Sequence, residues 1–156
     1  MKMEDLSLHI LDVVENSIEA NASKIEIKIV EKKNKDLLLI EIKDNGRGMN
    51  KETINKVLDP FYTTRTTRKV GMGLSLLAQA AKESNGDFEI NSKPGVGTEV
   101  KASFQYSHID CKPIGDMNDT LVTLIISHPE INFIYEYQNE EENYILDSKE
   151  IKKEIL

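Results

Sequence analysis

Ile42 to Leu74 decides how this chain is read. The stretch opens IKDNGRGM, runs through a short helical pattern, and closes DPFYTTRTTRKVGMGLSL. Asp44-Asn45-Gly46 follows an apolar run and is a turn signal. Gly71-Met72-Gly73-Leu74 opens a second apolar helical pattern. Between these glycine turns lies a threonine-rich loop carrying Arg65, Arg68 and Lys69. Backbone N–H groups at a helix N-terminus, with the helix dipole behind them, bind phosphate. Gly71 and Gly73 let the backbone come close, and the nearby cations offset phosphate charge. The stretch is therefore suited to an anionic ligand held between a strand end and a helix start.

Working outward, Leu6, Ile10, Val13, Ser17 and Ala20 recur at helical spacing and predict a helix over Met3–Ala22. A second face of it carries His9, Asp12, Asn16 and Glu19, a stripe that ordinarily meets solvent. Ser23–Lys32 alternates isoleucine with charge and Asp36–Lys43 reads LLLIEI, so the pair predicts an antiparallel hairpin, one face of it wet. Lys51–Leu58 is a short helix with Asn50 as its N-cap, stopped by Asp59-Pro60. Phe61–Val70 has no period and is expected to be a loop, mobile without ligand. Leu74–Glu83 is a helix with Leu74, Leu77, Ala78 and Ala81 inward, ended by Asn85-Gly86 in a left-handed turn. Asp87–Asn91 and Glu99–Phe104 are strands joined by a glycine-rich turn. Beyond Tyr106 come a linker, a helix over Asp116–Ser127, short strands over Asn132–Gln138 and Asn143–Leu146, and a helix starting at Asp147. The chain accordingly divides into 1–106 and a small appendage, 107–156. Its apolar helix around Leu121–Ile126 either packs on the first unit or forms an interface.

The chain has 156 residues, 39% of them hydrophobic and 30% charged, a soluble globular composition. No apolar run reaches the roughly 18 residues that span a bilayer, and the acidic N-terminus is no secretory signal. Cys111 is the only cysteine, which suits a reducing cytoplasm. A net charge of −7 argues against nucleic acid as a partner.

The polar groups add detail. Mg²⁺ needs few protein ligands when phosphate oxygens are present, so the side-chain amide of Asn16 suffices. A nucleobase amino group needs an acceptor reached through a tight turn, and Asp44, followed by Gly46 and Gly48, meets that need. Thr98 offers a hydroxyl on the same side.

In order and spacing these pieces resemble the ATP-binding family shared by histidine kinases, DNA gyrase, Hsp90-type chaperones and MutL. The resemblance runs from about Leu6 to Phe104. It rests on LDVVENSIEANASKIEI around Asn16, DNGRGM at Asp44–Met49, DPFYTT at Asp59–Thr64, GMGLSL at Gly71–Leu76 and GVGT at Gly95–Thr98. It implies an α/β two-layer sandwich with a mixed, largely antiparallel sheet and helices on one face. It implies ATP and Mg²⁺ as ligands, with Asn16 holding the metal and Asp44 the adenine amino group. Gly46, Gly48 and Met49 would shape the adenine pocket, with Phe61 at its mouth. Thr63–Val70, including Arg65 and Lys69, would be the lid. Gly71, Met72, Gly73 and Leu74 would bind phosphates, and Thr98 would assist Asp44. Hydrolytic members carry a glutamate four residues before the asparagine, where this chain has Asp12, so Asp12 is the candidate general base.

The resemblance implies a stand-alone protein kinase acting on a separate protein. An ATP-driven conformational module with slow hydrolysis, for which a homodimer is the expected form, and a nucleotide-sensing module without turnover remain open beside it. His9, His108 and His128 lack the sequence context of a phosphorylated histidine and are read as surface or structural residues. No upstream acceptor domain is expected, and the tail is too short for the second domain of MutL or gyrase.

Overall fold

The computed structural model describes residues 5–59, 72–108, 111 and 113–150. Eleven elements follow in order: α1 (Leu6–Glu19), β1 (Lys24–Lys32), a 3-10 turn (Lys33–Lys35), β2 (Leu37–Asp44), α2 (Lys51–Leu58), α3 (Met72–Glu83), β3 (Phe88–Lys93), β4 (Gly97–Gln105), α4 (Met117–Ser127), β5 (Asn132–Asn139) and β6 (Asn143–Asp147). The six strands form one sheet in the order β3-β4-β2-β1-β5-β6. Every pair is antiparallel except β1 with β5, which is parallel. The expected two-layer α/β sandwich is the fold observed.

Alternation along the strands sorts the two faces. Ile25, Ile27 and Ile29 of β1, Leu38, Ile40 and Ile42 of β2, and Val100, Ala102 and Phe104 of β4 all point inward and are at most 2% exposed. They meet Leu6, Ile10, Val13 and Val14 of α1 and Leu74, Leu77, Ala80 and Ala81 of α3 in one core. On α3 the third inward residue is Ala80, not Ala78, which is only half-buried. The other face of the sheet is charged. One row across five strands reads Glu136, Lys28, Glu41, Lys101, Glu89, each paired in register with the next. Opposite charges side by side let this face stay in water without self-repulsion.

Two helix ends differ in detail from the expectation. α1 stops at Glu19, with Asn21 left-handed at φ 62° and the Ala22 N–H reaching back to the Ser17 carbonyl at 3.2 Å. After α3 the left-handed residue is Asn85 (φ 59°), while the Gly86 N–H closes the turn on the Ala81 carbonyl at 2.8 Å. Gly86 serves a different need: a Cβ there would lie 1.8 Å from the Ser103 carbonyl oxygen. The expected cap holds at Asn50, which accepts from the Thr53 N–H at 2.8 Å. Asp116, read as the first residue of its helix, is instead the N-cap of α4 and accepts from the Asp119 N–H at 3.0 Å.

The sheet runs across the division at 106/107. β5 lies against β1 over Lys24–Glu31, and β6 pairs with β5. Met117, Leu121, Leu124, Ile131, Phe133 and Tyr135 are at most 6% exposed and belong to the same core as α1. Of the two roles open to the apolar helix of the tail, packing on the first unit is the one observed.

Candidate functional site

α1, β2 and β4 bring the candidate residues together. Asp44 ends β2 opposite Thr98 of β4, and both lie beneath the last turns of α1. The turn after Asp44 is clamped on both sides. The Asn45 side-chain oxygen accepts from the Ser23 and Lys24 N–H groups at 2.9 and 3.0 Å. The Arg47 N–H donates to the Ala20 carbonyl at 2.9 Å, and the Arg47 carbonyl accepts from the Gly95 N–H at 2.6 Å. The turn is thus wedged between the end of α1 and the β3–β4 hairpin. Gly48 is the tightest point: its φ is +72°, and a Cβ would sit 2.0 Å from the Lys93 carbonyl oxygen. Only glycine fits there.

The clamp fixes the carboxylate. One Asp44 oxygen accepts from the Gly46 N–H at 2.8 Å, the other from the Ser17 hydroxyl at 2.5 Å. Each oxygen keeps acceptor capacity, since an ionised carboxylate offers about four lone-pair sites. Above it opens a cavity of about 300 Å³, the lower end of the usual range for small-molecule sites. Val13, Ile42, Met49, Val57, Leu74 and Val100 give it apolar walls, and Asn16, Ser17, Asp44 and Thr98 supply polar groups among them. Thr98 is itself positioned: its hydroxyl lies 2.7 Å from that of Ser92, which accepts from the Met49 N–H at 2.8 Å.

Asn16 lines the cavity one turn before the end of α1. Asp12 precedes it by one helical turn on the same face and is half-buried. Among the described residues it is not part of the cavity wall. It lies instead where α3 begins, since a Cβ on Gly73 would come within 2.6 Å of the Asp12 Cβ and 3.0 Å of the Val13 nitrogen. Gly73 therefore lets the first turn of α3 press against α1, which carries Leu74 to the cavity edge. Met72 is the first residue of that helix. Phe61, Thr63, Arg65, Lys69 and Gly71 lie outside the described residues, as does the expected lid as a whole.

His9 corrects the reading of the polar stripe: it is 1% exposed, so the N-terminal end of the stripe is interior rather than solvated. Sequence reasoning also passed over Ser17 and Ser92. Ser17 did carry a signal, as a polar residue on the buried stripe of α1. Ser92 carried none, because its partners lie on separate elements.

Among the described residues no group of three His, Cys, Asp or Glu side chains could hold a metal by itself. Among them also, no helix is long and apolar enough to cross a membrane.

Known proteins resemble this chain in sequence and in fold. Residues 2–108 match the model of the histidine kinase-, DNA gyrase B-, and HSP90-like ATPase family. The chain is similar to the sensor histidine kinase YxdK of Bacillus subtilis, at 33% identity over 106 residues, covering 64% of this chain and 32% of that protein. It is similar also to the sensor histidine kinase YvrG of Bacillus subtilis, at 29% identity over 94 residues, covering 58% of this chain and 16% of that protein. The chain thus spans a third or less of the length of these relatives. In fold it resembles the Aquifex aeolicus MutL ATPase domain complexed with ADP, with a TM-score of 0.54 at 19% identity, over 99% of this chain and 68% of that one. The family match takes in α1, β2, the clamped turn, α2, the start of α3 and the β3–β4 hairpin, every described element that walls the cavity, and the chain belongs to the histidine kinase-, DNA gyrase B-, and HSP90-like ATPase family.

Proposed function

We propose that the cavity binds ATP with Mg²⁺ and that the chain is a protein kinase transferring the terminal phosphoryl group to a separate protein. The observation that carries the binding is the Asp44 carboxylate, fixed by the Gly46 N–H and the Ser17 hydroxyl at the base of an apolar cavity. A flat base fits between such walls, and its amino group needs an acceptor that does not move. Thr98, held by Ser92, assists from β4, and Gly48 and Met49 close that side. Asn16, on the opposite wall, offers the oxygen a magnesium ion prefers, with the remaining ligands coming from phosphate and water. Bound there, the ion supplies charge neutralisation at the transferring phosphoryl group. The N-terminal turn of α3, which carries Met72, Gly73 and Leu74, offers N–H groups to the phosphates, and Gly71, outside the described residues, would join them by the family resemblance. By the family resemblance Arg65 and Lys69, outside the described residues, would add positive charge, and Phe61, also outside them, would be the aromatic residue near the base. The kinase reading rests on the sensor histidine kinases among the relatives and on the DPFYTT and GMGLSL boxes. The single cysteine suits work in the cytoplasm.

Incubation with γ-labelled ATP and candidate partner proteins tests this reading. Label on a partner, lost with Asn16→Ala, is the expected result. Free phosphate without a partner would instead favour a conformational module that hydrolyses ATP, closes its lid and pairs two copies. Binding with neither product would favour a nucleotide sensor. The position of Asp12, one turn before Asn16 and against the start of α3, supports the hydrolytic reading. If Asp12 is the base, Asp12→Asn binds ATP normally and loses phosphate release by about a hundredfold; unchanged release would remove it from the mechanism.

A further inference from the structure

A second recess lies at the far end of β1. Ile25 pairs with Asp44, and Glu31 is six residues further along the strand, which places it about 20 Å from the first cavity. There Glu31, Tyr135, Tyr137, Tyr144, Asp116 and Met117 line a groove of about 440 Å³ between β5, β6 and the start of α4. The three tyrosines are clustered, with ring centroids 6.1 Å apart for Tyr135 and Tyr144 and 5.5 Å for Tyr137 and Tyr144. The Tyr137 hydroxyl donates to one oxygen of the Glu31 carboxylate at 2.8 Å, leaving the other oxygen to the groove. Asp116 spends one oxygen on capping α4. Neither carboxylate is in an ion pair among the described residues.

Two carboxylates with no ion pair among the described residues, set beside three electron-rich rings, repel anions and give a neutral ligand nothing to answer their charge. They suit a cation that can both stack and donate. A guanidinium does so better than an ammonium, because it is planar, weakly hydrated and offers paired N–H donors to a carboxylate. The groove opens beside β6, the outermost strand, where Tyr144 and Ile145 are 45% and 64% exposed. That setting favours an extended polypeptide over a free small molecule. We propose that this groove takes an arginine side chain of a partner protein.

The test is an NMR titration of the full chain with N-acetyl-arginine amide, followed at the tyrosine rings. Saturable shifts of Tyr135, Tyr137 and Tyr144 are expected, with Tyr106 unmoved and no response to the uncharged citrulline analogue. Glu31→Gln keeps an acceptor for Tyr137, and Asp116→Asn keeps the helix cap. Each should weaken binding by about threefold to fivefold, as expected for a partly exposed charge pair. A short extended peptide with arginine between valines should bind more tightly than the amide. A citrulline response equal to that of arginine, no saturable shift, or full affinity in the double variant would overturn the cation site. Equal affinity for amide and peptide would overturn the protein partner. Should a variant fail to fold, the comparison of arginine with citrulline on the unaltered chain decides alone.

Discussion

The Asp44 cavity and the tyrosine groove stand at opposite ends of β1 and are held by different means. At the cavity the main chain sets the geometry. The carbonyls of Ala20 and Lys93 and the N–H of Gly95 are packed or hydrogen-bonded against the turn after Asp44, and glycine is obligatory at its tightest point. At the groove side chains set the geometry: aromatic rings, one hydroxyl–carboxylate bond, and the apolar underside of α4. A site built from main chain leaves a legible motif, because few residue types fit each position. A site built from side chains leaves only generic elements.

The largest expected effect comes from removing one side of this comparison. Residues 107–156 contribute Met117, Leu121, Leu124, Ile131, Phe133 and Tyr135 to the shared core. At about 2 kcal/mol per buried side chain their loss is on the order of 10 kcal/mol, comparable with the whole stability of a domain. A chain ending at residue 106 should therefore show no cooperative unfolding transition. If it folds and binds an ATP analogue, the tail is a docking unit and not part of the fold.

Two glycines sharpen the main-chain side. Gly48→Ala should cost about 3 kcal/mol or more, because strain at φ +72° adds to collision with the Lys93 carbonyl. Gly95 has a similar φ of +80° but open space around its Cβ position, so Gly95→Ala should cost only about 1 kcal/mol. Denaturant midpoints compare them directly, and equal costs would mean that the contact with Lys93 yields freely.

The smallest effect concerns the link between the parts. Asp36, before β2, accepts from the Ser107 hydroxyl and N–H at 2.7 Å each and from Gln105 at 3.0 Å. The bonds from Ser107 and Gln105 hold its carboxyl below the ordinary value of 3.8. A lowered folded pKa stabilises above the unfolded value, and that contribution is lost as the pH falls through the folded one. Asp36→Asn should therefore lower the thermal midpoint slightly at neutral pH, with the difference closing below pH 3.8. A difference independent of pH would assign the effect to packing.

Much of the first region was legible. Alternating isoleucines predicted β1 and β2, and Asn50 predicted its cap. Box order brought Asn16, Asp44 and Thr98 to one cavity. What escaped notice depended on distant partners. Parallel pairing of β5 with β1 has no local signature, since register follows from side chains far apart in sequence. Ser92 reads as any strand serine until Met49 and Thr98 stand beside it. Asn85 and Gly86 divide between them two roles that one Asn-Gly pair suggests but does not apportion. His9 is polar and interior, so a stripe of polar residues alone did not reveal which end meets water.

The central claim is that a carboxylate fixed by Ser17 and Gly46 makes this cavity an ATP site. Calorimetric titration with a non-hydrolysable ATP analogue, with and without Mg²⁺, on the natural chain and on Asp44→Asn tests it most directly. The account predicts magnesium-dependent binding that Asp44→Asn abolishes while the fold is kept. Binding unchanged in Asp44→Asn, or no binding by the natural chain, would contradict it.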